Sequence, residues 1–176
     1  MTNYNPGTGE NGAVFCHANT WAIIAECILG RGDNAYKYYR QLLPNIAMEK
    51  AGVWRYKAEP YVYVSNIFGP ESDKFGLANV SWLTGTAAWM YVAVTQYILG
   101  IRPSWEGLIV DPCLPKEWDK ANIERVFRGC RYLINISNKS GEGRRVKEMT
   151  VDGVRVEGNV ILHVDGKESV TVEVVI

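Results

Sequence analysis

The sequence predicts an α+β protein in which a helical part is followed by a part made of β-strands. Before Gly100 the apolar residues recur with the 3.6-residue period of helices. After Gly100 they fall in short runs separated by turn signals such as Asp152-Gly153, a pattern typical of an antiparallel sheet or sandwich. The change of pattern lies near residues 101–106, so we expect one domain over residues 1–102 and a second over residues 103–176.

The composition narrows the classes of function. Lys plus Arg and Asp plus Glu both number 19, so the net charge gives no sign of binding to nucleic acid or to an anionic membrane surface. The four cysteines are widely spaced and include no CxxC pair, which indicates reduced, buried thiols and not a disulfide framework or a zinc site. No apolar signal segment precedes the first helix. We therefore expect a cytoplasmic protein without a metal centre.

The first elements are a loop and two helices. Residues 4–12 are rich in Gly, Asn and Pro and predict a loop. An apolar helical pattern follows and ends at Gly30. Asp33 is a candidate cap for a second helix over Asn34–Leu43, which Pro44 would close. A short linker between two helices predicts an αα-hairpin.

The next segment, residues 45–80, is less regular and contains clustered aromatic side chains around Glu59-Pro60. Aromatic rings with polar groups between them suit sugar rings, whose C–H faces stack on aromatic planes. An aromatic-rich packing loop explains the cluster equally well. The aromatic residues of the cluster are Trp54, Tyr56, Tyr61, Tyr63 and Phe68.

The longest uncharged stretch predicts a buried helix over Leu83–Leu99, with Asn79 or Ser81 as its cap and Gly100 as its stop. Polar residues interrupt the stretch, which argues against a membrane span. The helix entry, Thr84-Gly85-Thr86, is a small hydroxyl-rich turn. Free backbone N–H groups at such an entry can hold a phosphate, and a plain capped start is the equally strong alternative.

The second part of the chain contains seven strand-like runs with hairpin turns between them. They are residues 107–110, 123–127, 132–137, 146–151, 154–156, 160–164 and 170–176.

Of the two histidines, His17 is the candidate functional residue. It follows the polar loop directly, and such a loop lets several groups converge on a ligand, although a lone histidine is more often structural. His163 lies in a strand with period-2 alternation and is expected to be an ordinary surface residue.

Several motifs together resemble the inverting β-glucoside phosphorylases, a group that includes the cellobiose, cellodextrin and chitobiose phosphorylases. The similarity extends over nearly the whole chain. Its motifs are Asn11-Gly12-Ala13-Val14-Phe15-Cys16-His17, Glu59-Pro60-Tyr61-Val62-Tyr63, Ser81-Trp82-Leu83-Thr84-Gly85-Thr86-Ala87, Gln96-Tyr97-Ile98-Leu99-Gly100-Ile101, Gly107-Leu108-Ile109-Val110-Asp111-Pro112-Cys113-Leu114-Pro115 and Phe127-Arg128-Gly129.

The resemblance implies the C-terminal part of an (α/α)6-barrel catalytic domain followed by a small β domain. Such phosphorylases are several times longer than this chain. Their general-acid aspartate and a phosphate-binding arginine would lie upstream, in the missing part of the barrel. No catalytic acid is therefore expected among these 176 residues, and the chain alone is expected to be inactive.

Three family roles carry over by motif, two of them at the phosphate. His17 matches the phosphate-contacting histidine, and Thr84 with Gly85 matches the Thr-Gly pair that holds the same phosphate.

The acceptor side of the site looks changed. Tyr4 matches a tyrosine near the sugar acceptor. Gly9 stands where cellobiose phosphorylases have a lysine, and Ser65 stands where they have a glutamine. The departures imply a longer cellodextrin or a different β-linkage as substrate.

The activity implied is transfer of glucose from a β-linked gluco-oligosaccharide, such as cellobiose or a cellodextrin, to inorganic phosphate, with release of α-glucose 1-phosphate. Phosphate replaces the water and catalytic base of an inverting glycosidase, so no metal or organic cofactor is needed. The full-length enzyme could be a homodimer. Two alternatives stay open: the phosphorylase-like end of a cyclic β-glucan synthase, and a non-catalytic carbohydrate-binding module.

Overall fold

The computed structural model describes residues 3–176 and confirms the α+β class. The chain divides into two compact units. The first comprises the residues up to Ala25 together with Ala35–Ala93, and the second comprises Glu26–Asn34 together with Val94–Ile176. The expected division into residues 1–102 and 103–176 concerns the domains of a whole enzyme and stays a prediction.

Five α-helices form between residues 16 and 92. Helix α1 ends as the sequence predicts, because Gly30 adopts a left-handed conformation (φ 73°) and closes a Schellman motif. In this motif Arg31 N donates to Glu26 O at 2.8 Å, and Gly30 N donates to Cys27 O at 2.9 Å. The helices are α1 (Cys16–Ile28), α2 (Gly32–Leu42), α3 (Pro44–Ala51), α4 (Val53–Tyr56) and α5 (Thr86–Val92).

Asp33 does not cap α2 as the sequence suggested. The helix begins at Gly32, two residues before the predicted start at Asn34, and the Asp33 carboxylate accepts a hydrogen bond from the backbone N–H of Lys116 at 2.8 Å. A partner 83 positions away cannot be anticipated from local capping rules. Pro44 ends the pattern of α2 and also starts α3, where its missing N–H and fixed φ suit the first helical turn.

A three-stranded antiparallel sheet corrects the expectation that the first part is entirely helical. It consists of β1 (Val14–Phe15), β2 (Val64–Ile67) and β3 (Ala78–Ser81), in the order β1-β2-β3. The period-2 signal is present but weak: Val62, Val64 and Asn66 are buried and the residues between them are less so. Asn66 weakens the period-2 pattern, because it is a polar residue on the buried face. The side-chain amide of Asn79 on β3 donates to the side-chain oxygen of Asn66 at 3.2 Å.

The predicted helix over Leu83–Leu99 is shorter and more exposed than expected. Helix α5 begins at Thr86 and continues as a π-helical segment over Ala93–Ile98. Met90 and Ala93 are buried, whereas Tyr91 is 64% exposed and Leu83 is 80% exposed. The prediction that every face of this helix is buried was therefore wrong for the described residues. The absence of charged residues from a stretch does not show which of its apolar faces other residues cover.

Neither Asn79 nor Ser81 caps α5, because both belong to β3. Gly85 occupies the N-cap position. The predicted stop at Gly100 is confirmed: its φ is 73°, and a Cβ there would lie 2.1 Å from the backbone oxygen of Asp111. Only glycine fits this position. Within residues 3–176, no helix is long and apolar enough to cross a membrane.

The second part contains eight strands; seven of them overlap the predicted runs, and the strand over Ile101–Pro103 was not predicted. They form a three-stranded sheet of order β10-β5-β4 and a five-stranded sheet of order β6-β7-β11-β8-β9. The strands are β4 (Ile101–Pro103), β5 (Gly107–Val110), β6 (Lys120–Phe127), β7 (Cys130–Ser137), β8 (Glu148–Val151), β9 (Val154–Val156), β10 (Val160–Leu162) and β11 (Ser169–Val175).

The larger sheet is mixed and not purely antiparallel as predicted. Strand β11 pairs with β8 antiparallel and with β7 parallel, in a register that places Val172 opposite Ile134. Turn signals determine only hairpin neighbours, and β11 reaches β7 after three intervening strands. Tyr132 and Ile136 on β7 and Val174 on β11 are buried in the core of this sheet.

Candidate functional site

His17 lies in the first turn of α1, next to the turn that precedes α5. Its ring is so close to Gly85 that a Cβ at this glycine would lie 3.0 Å from Cε1 of His17. The Nε2 atom is buried, and it has no hydrogen-bond partner within residues 3–176. A buried polar atom without a partner costs about 1–3 kcal/mol, so such an atom in a native site calls for a ligand or a water.

The turn before α5 is held by its own hydroxyl groups. The backbone N–H of Thr86 donates to Thr84 Oγ1 at 3.2 Å, and the two threonine hydroxyls are 2.7 Å apart in a further hydrogen bond. Thr86 is fully buried, whereas Thr84 is half-buried and Gly85 is exposed. The turn therefore places the Gly85 backbone beside the imidazole of His17, while the Thr84 hydroxyl is hydrogen-bonded within the turn.

Two tryptophans pack around the imidazole ring. The ring of Trp21 lies 5.4 Å from that of His17 between centroids, in an edge-to-face arrangement, and that of Trp89 lies 6.1 Å away. Thr20 Oγ1 donates to the backbone oxygen of His17 at 2.6 Å and ties it to the helix. The imidazole ring thus packs against two aromatic rings.

The sequence did not single out the two tryptophans as parts of the site. Trp21 could have been found, because it lies four residues after His17 on a helix and so shares its face. Trp89 comes from α5, and no local pattern announces its approach to α1.

Tyr4 and Gly9, expected on the acceptor side, contact each other. A Cβ on Gly9 would lie 3.3 Å from Cδ1 of Tyr4, and Asn11 Nδ2 donates to the backbone oxygen of Tyr4 at 2.9 Å. The Tyr4 side chain is 49% exposed. Ser65 is half-buried in β2.

The aromatic cluster of residues 54–68 contains both buried and exposed rings, so each of its two interpretations, a packing loop and a surface for sugar rings, applies to part of it. Tyr56 is 1% exposed and belongs to the core, whereas Trp54 and Tyr61 are 89% and 76% exposed. Both the packing and the surface interpretation are therefore partly right.

A hydrogen bond near this cluster was not predicted from the sequence. The indole Nε1 of Trp82 donates to Glu59 Oε1 at 3.2 Å. Hydrogen bonds from its own backbone N–H and from Trp82 lower the pKa of the Glu59 carboxyl below its ordinary value.

Trp82 and Val80 both have left-handed backbones, with φ of 70° and 52°. Such a conformation is strained for a β-branched residue, and nothing in the sequence indicates it.

Comparison with known proteins identifies the family. Residues 1–100 match the family described as the glycosyl hydrolase 94 superfamily, catalytic domain. The chain belongs to this superfamily. The resemblance to β-glucoside phosphorylases in the sequence motifs is thereby confirmed.

The proteins similar to this chain include two phosphorylases and a glucan synthase. Solabiose phosphorylase from Paenibacillus borealis is 39% identical over 160 residues, covering 91% of this chain and 21% of the relative. N,N'-diacetylchitobiose phosphorylase from Vibrio proteolyticus is 41% identical over 177 residues, covering 99% and 22%. Cyclic β-(1,2)-glucan synthase NdvB from Rhizobium meliloti is 35% identical over 144 residues, covering 81% and 5%.

The chain spans about a fifth of the length of the two phosphorylases. Among solved structures, a family GH92 α-mannosidase from Bacteroides thetaiotaomicron is 16% identical, with a TM-score of 0.38, over 89% of this chain and 17% of that one.

Proposed function

We propose that these residues form part of an inverting glycoside phosphorylase. The enzyme would transfer a glucosyl group from a β-linked gluco-oligosaccharide, such as cellobiose or a cellodextrin, to inorganic phosphate and release α-glucose 1-phosphate. Family membership supports this proposal, as do the phosphorylase activities named for the relatives. Helices α1–α5 would then belong to an (α/α)6 barrel.

The phosphate would bind at His17, Thr84 and Gly85. The observation that carries this assignment is the buried, unpartnered Nε2 of His17 beside the hydroxyl turn. A protonated Nε2 donates one hydrogen bond to a phosphate oxygen, the Thr84 hydroxyl donates a second, and the Gly85 backbone permits close approach. Hydrogen bonds to a charged partner are the stronger kind, worth about 1.5–3 kcal/mol each.

The chemistry would be a single displacement at the anomeric carbon. A carboxylic acid protonates the leaving oxygen, while phosphate attacks from the opposite face and inverts the configuration. Because phosphate is already an anionic nucleophile, the protein has to orient it and stabilise its charge, and needs no second carboxylate as a base. We place the general acid outside these 176 residues, in accordance with the motif comparison. Inorganic phosphate would be a co-substrate, and no other cofactor is invoked.

The acceptor sugar would lie towards Tyr4, Gly9 and Ser65. The exposed Tyr4 ring offers a stacking surface for a sugar, and Gly9 lets that ring pack against the backbone at a position where a lysine is expected. The names of the related phosphorylases refer to different disaccharides, so a change of acceptor at these positions fits the family.

Variants of the whole enzyme test the phosphate site. His17→Ala and Thr84→Val should raise the KM for phosphate, or lower kcat, by about ten- to a hundred-fold, because each removes a hydrogen bond to a charged ligand. The KM for the sugar should change much less. His163→Ala is the matched control, since this histidine lies on the other unit and is bonded to Tyr132. Wild-type phosphate kinetics with only a lower Tm in both variants would assign His17 and Thr84 to packing.

A second candidate function is the phosphorylase-like end of a cyclic β-glucan synthase. The similarity to NdvB favours it. In that case the intact protein would cleave or transfer sugar chains at a rate independent of added phosphate. A non-catalytic carbohydrate-binding module would instead bind an oligosaccharide without turnover.

A further inference from the structure

The second unit contains a cavity of about 430 Å³ that the proposed phosphorylase activity does not use. Two cysteines line it. Cys27 lies in the last turn of α1, and Cys113 lies in the segment after β5. Three arginines line the same cavity: Arg102, Arg144 and Arg145.

The two thiols are buried side chains of the same cavity. Cys27 and Cys113 are 9% and 5% exposed. A hydrogen bond between their side chains raises the pKa of Cys27 and lowers the pKa of Cys113. Burial and the nearby carboxylates of Asp111 and Asp33 oppose ionisation of Cys113, while the Arg144 guanidinium favours it.

Hydrogen bonds hold the backbone beside both cysteines. Cys113 N donates to Ile98 O at 2.9 Å, and Cys113 pairs with Arg144 in an isolated antiparallel bridge. Arg144 Nη1 in turn donates to the backbone oxygen of Gly30 at 3.4 Å, at the end of the helix that carries Cys27.

We propose that Cys27 and Cys113 are a redox pair that a hydroperoxide converts to a disulfide. With hydrogen peroxide, the Cys113 thiolate attacks one oxygen atom, an S–O bond forms as the O–O bond breaks, and the departing hydroxide takes up a proton as water. The Cys27 thiol then attacks the sulfenic sulfur, the S–S bond forms, and the sulfenic oxygen leaves as a second water. The two thiols lose two electrons in total, and the peroxide gains them. A dithiol reductant reverses the reaction.

The other two cysteines lack these features and serve as controls. Burial raises the pKa of Cys16 to about 12, and its thiol points to the backbone oxygen of Val14 at 3.7 Å. Cys130 donates to the backbone oxygen of Arg131 at 3.9 Å. Neither is among the residues that line the cavity.

The test is limited oxidation of the folded 176-residue chain with hydrogen peroxide, followed by alkylation of the remaining thiols and mass spectrometry. We expect a product lighter by two hydrogen atoms, with one cross-linked peptide pair containing Cys27 and Cys113, fully reversed by dithiothreitol. Cys27→Ala and Cys113→Ala should abolish the cross-link, whereas Cys16→Ala and Cys130→Ala should retain it.

Three results would overturn the proposal: four alkylatable thiols after oxidation of the folded chain, a cross-link that involves Cys16 or Cys130, or stable sulfinic acid on Cys113 without a cross-link. The wild-type peptide map decides the matter by itself if a variant does not fold. Phosphate kinetics do not enter this test, so its failure would leave the proposed phosphorylase function untouched.

Discussion

The two histidines of the chain have opposite surroundings. His163 Nδ1 is 3.1 Å from the hydroxyl of Tyr132, and its Nε2 is 3.3 Å from a carboxylate oxygen of Asp165. Nε2 of His17 is buried and has no such partner in the described part of the chain. A histidine bonded at both nitrogens needs no ligand, whereas one with a buried free nitrogen does. This difference, and not the sequence context, separates the structural histidine from the candidate ligand.

The sequence was informative about the proposed phosphate site for a local reason. His17 and the Thr84-Gly85 turn each lie in a short motif, and the structure brings His17 and Gly85 into contact. Two other contacts join segments that are far apart in the chain: the packing of Trp89 on His17 and the hydrogen bond between Trp82 and Glu59. Contacts of this kind leave no trace in periodicity or spacing, so they could not be predicted.

At the scale of single residues, Asp152 makes stability depend on pH. Its carboxylate accepts hydrogen bonds from the Lys167 ammonium and from the backbone N–H of Thr171 at 2.8 Å, and these lower its pKa. The contribution is therefore present above the unfolded-state pKa of about 4 and is lost as pH falls through the lower folded-state value.

Asp152→Asn should accordingly lower Tm at pH 7 and narrow the difference in Tm between pH 7 and acidic pH. Thermal melts followed by circular dichroism at several pH values check this. Glu117→Gln, at an exposed carboxylate, is the control and should leave the pH profile as in the wild type. An unchanged profile in the Asp152 variant would show that these hydrogen bonds do not stabilise the fold.

At the scale of elements, the strands of the second part were predictable and several other elements were not. Alternating apolar residues and the Asp152-Gly153 turn are local signals, and both central turn residues have the positive φ that such a hairpin requires. The parallel pairing of β7 with β11 depends on contacts across the sheet. The π-helical end of α5 and the strand β2 also lack a distinct local pattern, because apolar runs fit several structures.

The pairing of β5 with β10 depends on the glycine at position 107. A Cβ there would lie 1.9 Å from the backbone oxygen of Ile161, which is itself part of the paired strand. Gly107→Ala should therefore force the strands apart and destabilise the fold by more than the roughly 1 kcal/mol expected for a strained backbone alone.

Gly153→Ala provides the matched comparison, because its φ is 79° and no atom lies within 4 Å of the added Cβ. Urea unfolding followed by circular dichroism measures both variants. The Gly107 variant should have the lower midpoint. Equal midpoints would mean that β5 and β10 separate without cost and that the observed register is not fixed by this contact.

At the scale of the whole molecule, the first unit presents many large apolar side chains to solvent, among them Trp21, Trp54, Tyr61, Trp82 and Leu83. Patches of this kind are characteristic of surfaces that contact another protein segment or a ligand. They are consistent with the proposal that these helices belong to a larger barrel. The (α/α)6 arrangement, the acceptor specificity, the homodimer and the cytoplasmic location all stay predictions.

The measurement that tests the proposed function most directly is a phosphate-dependence assay on the intact enzyme. The enzyme is incubated with cellobiose, cellodextrins or other β-linked disaccharides, with and without inorganic phosphate, and the products are identified by NMR. We predict α-glucose 1-phosphate, formed only when phosphate is present, and none from the 176-residue chain alone. Turnover that does not depend on phosphate, or formation of the β-anomer, would contradict an inverting phosphorylase.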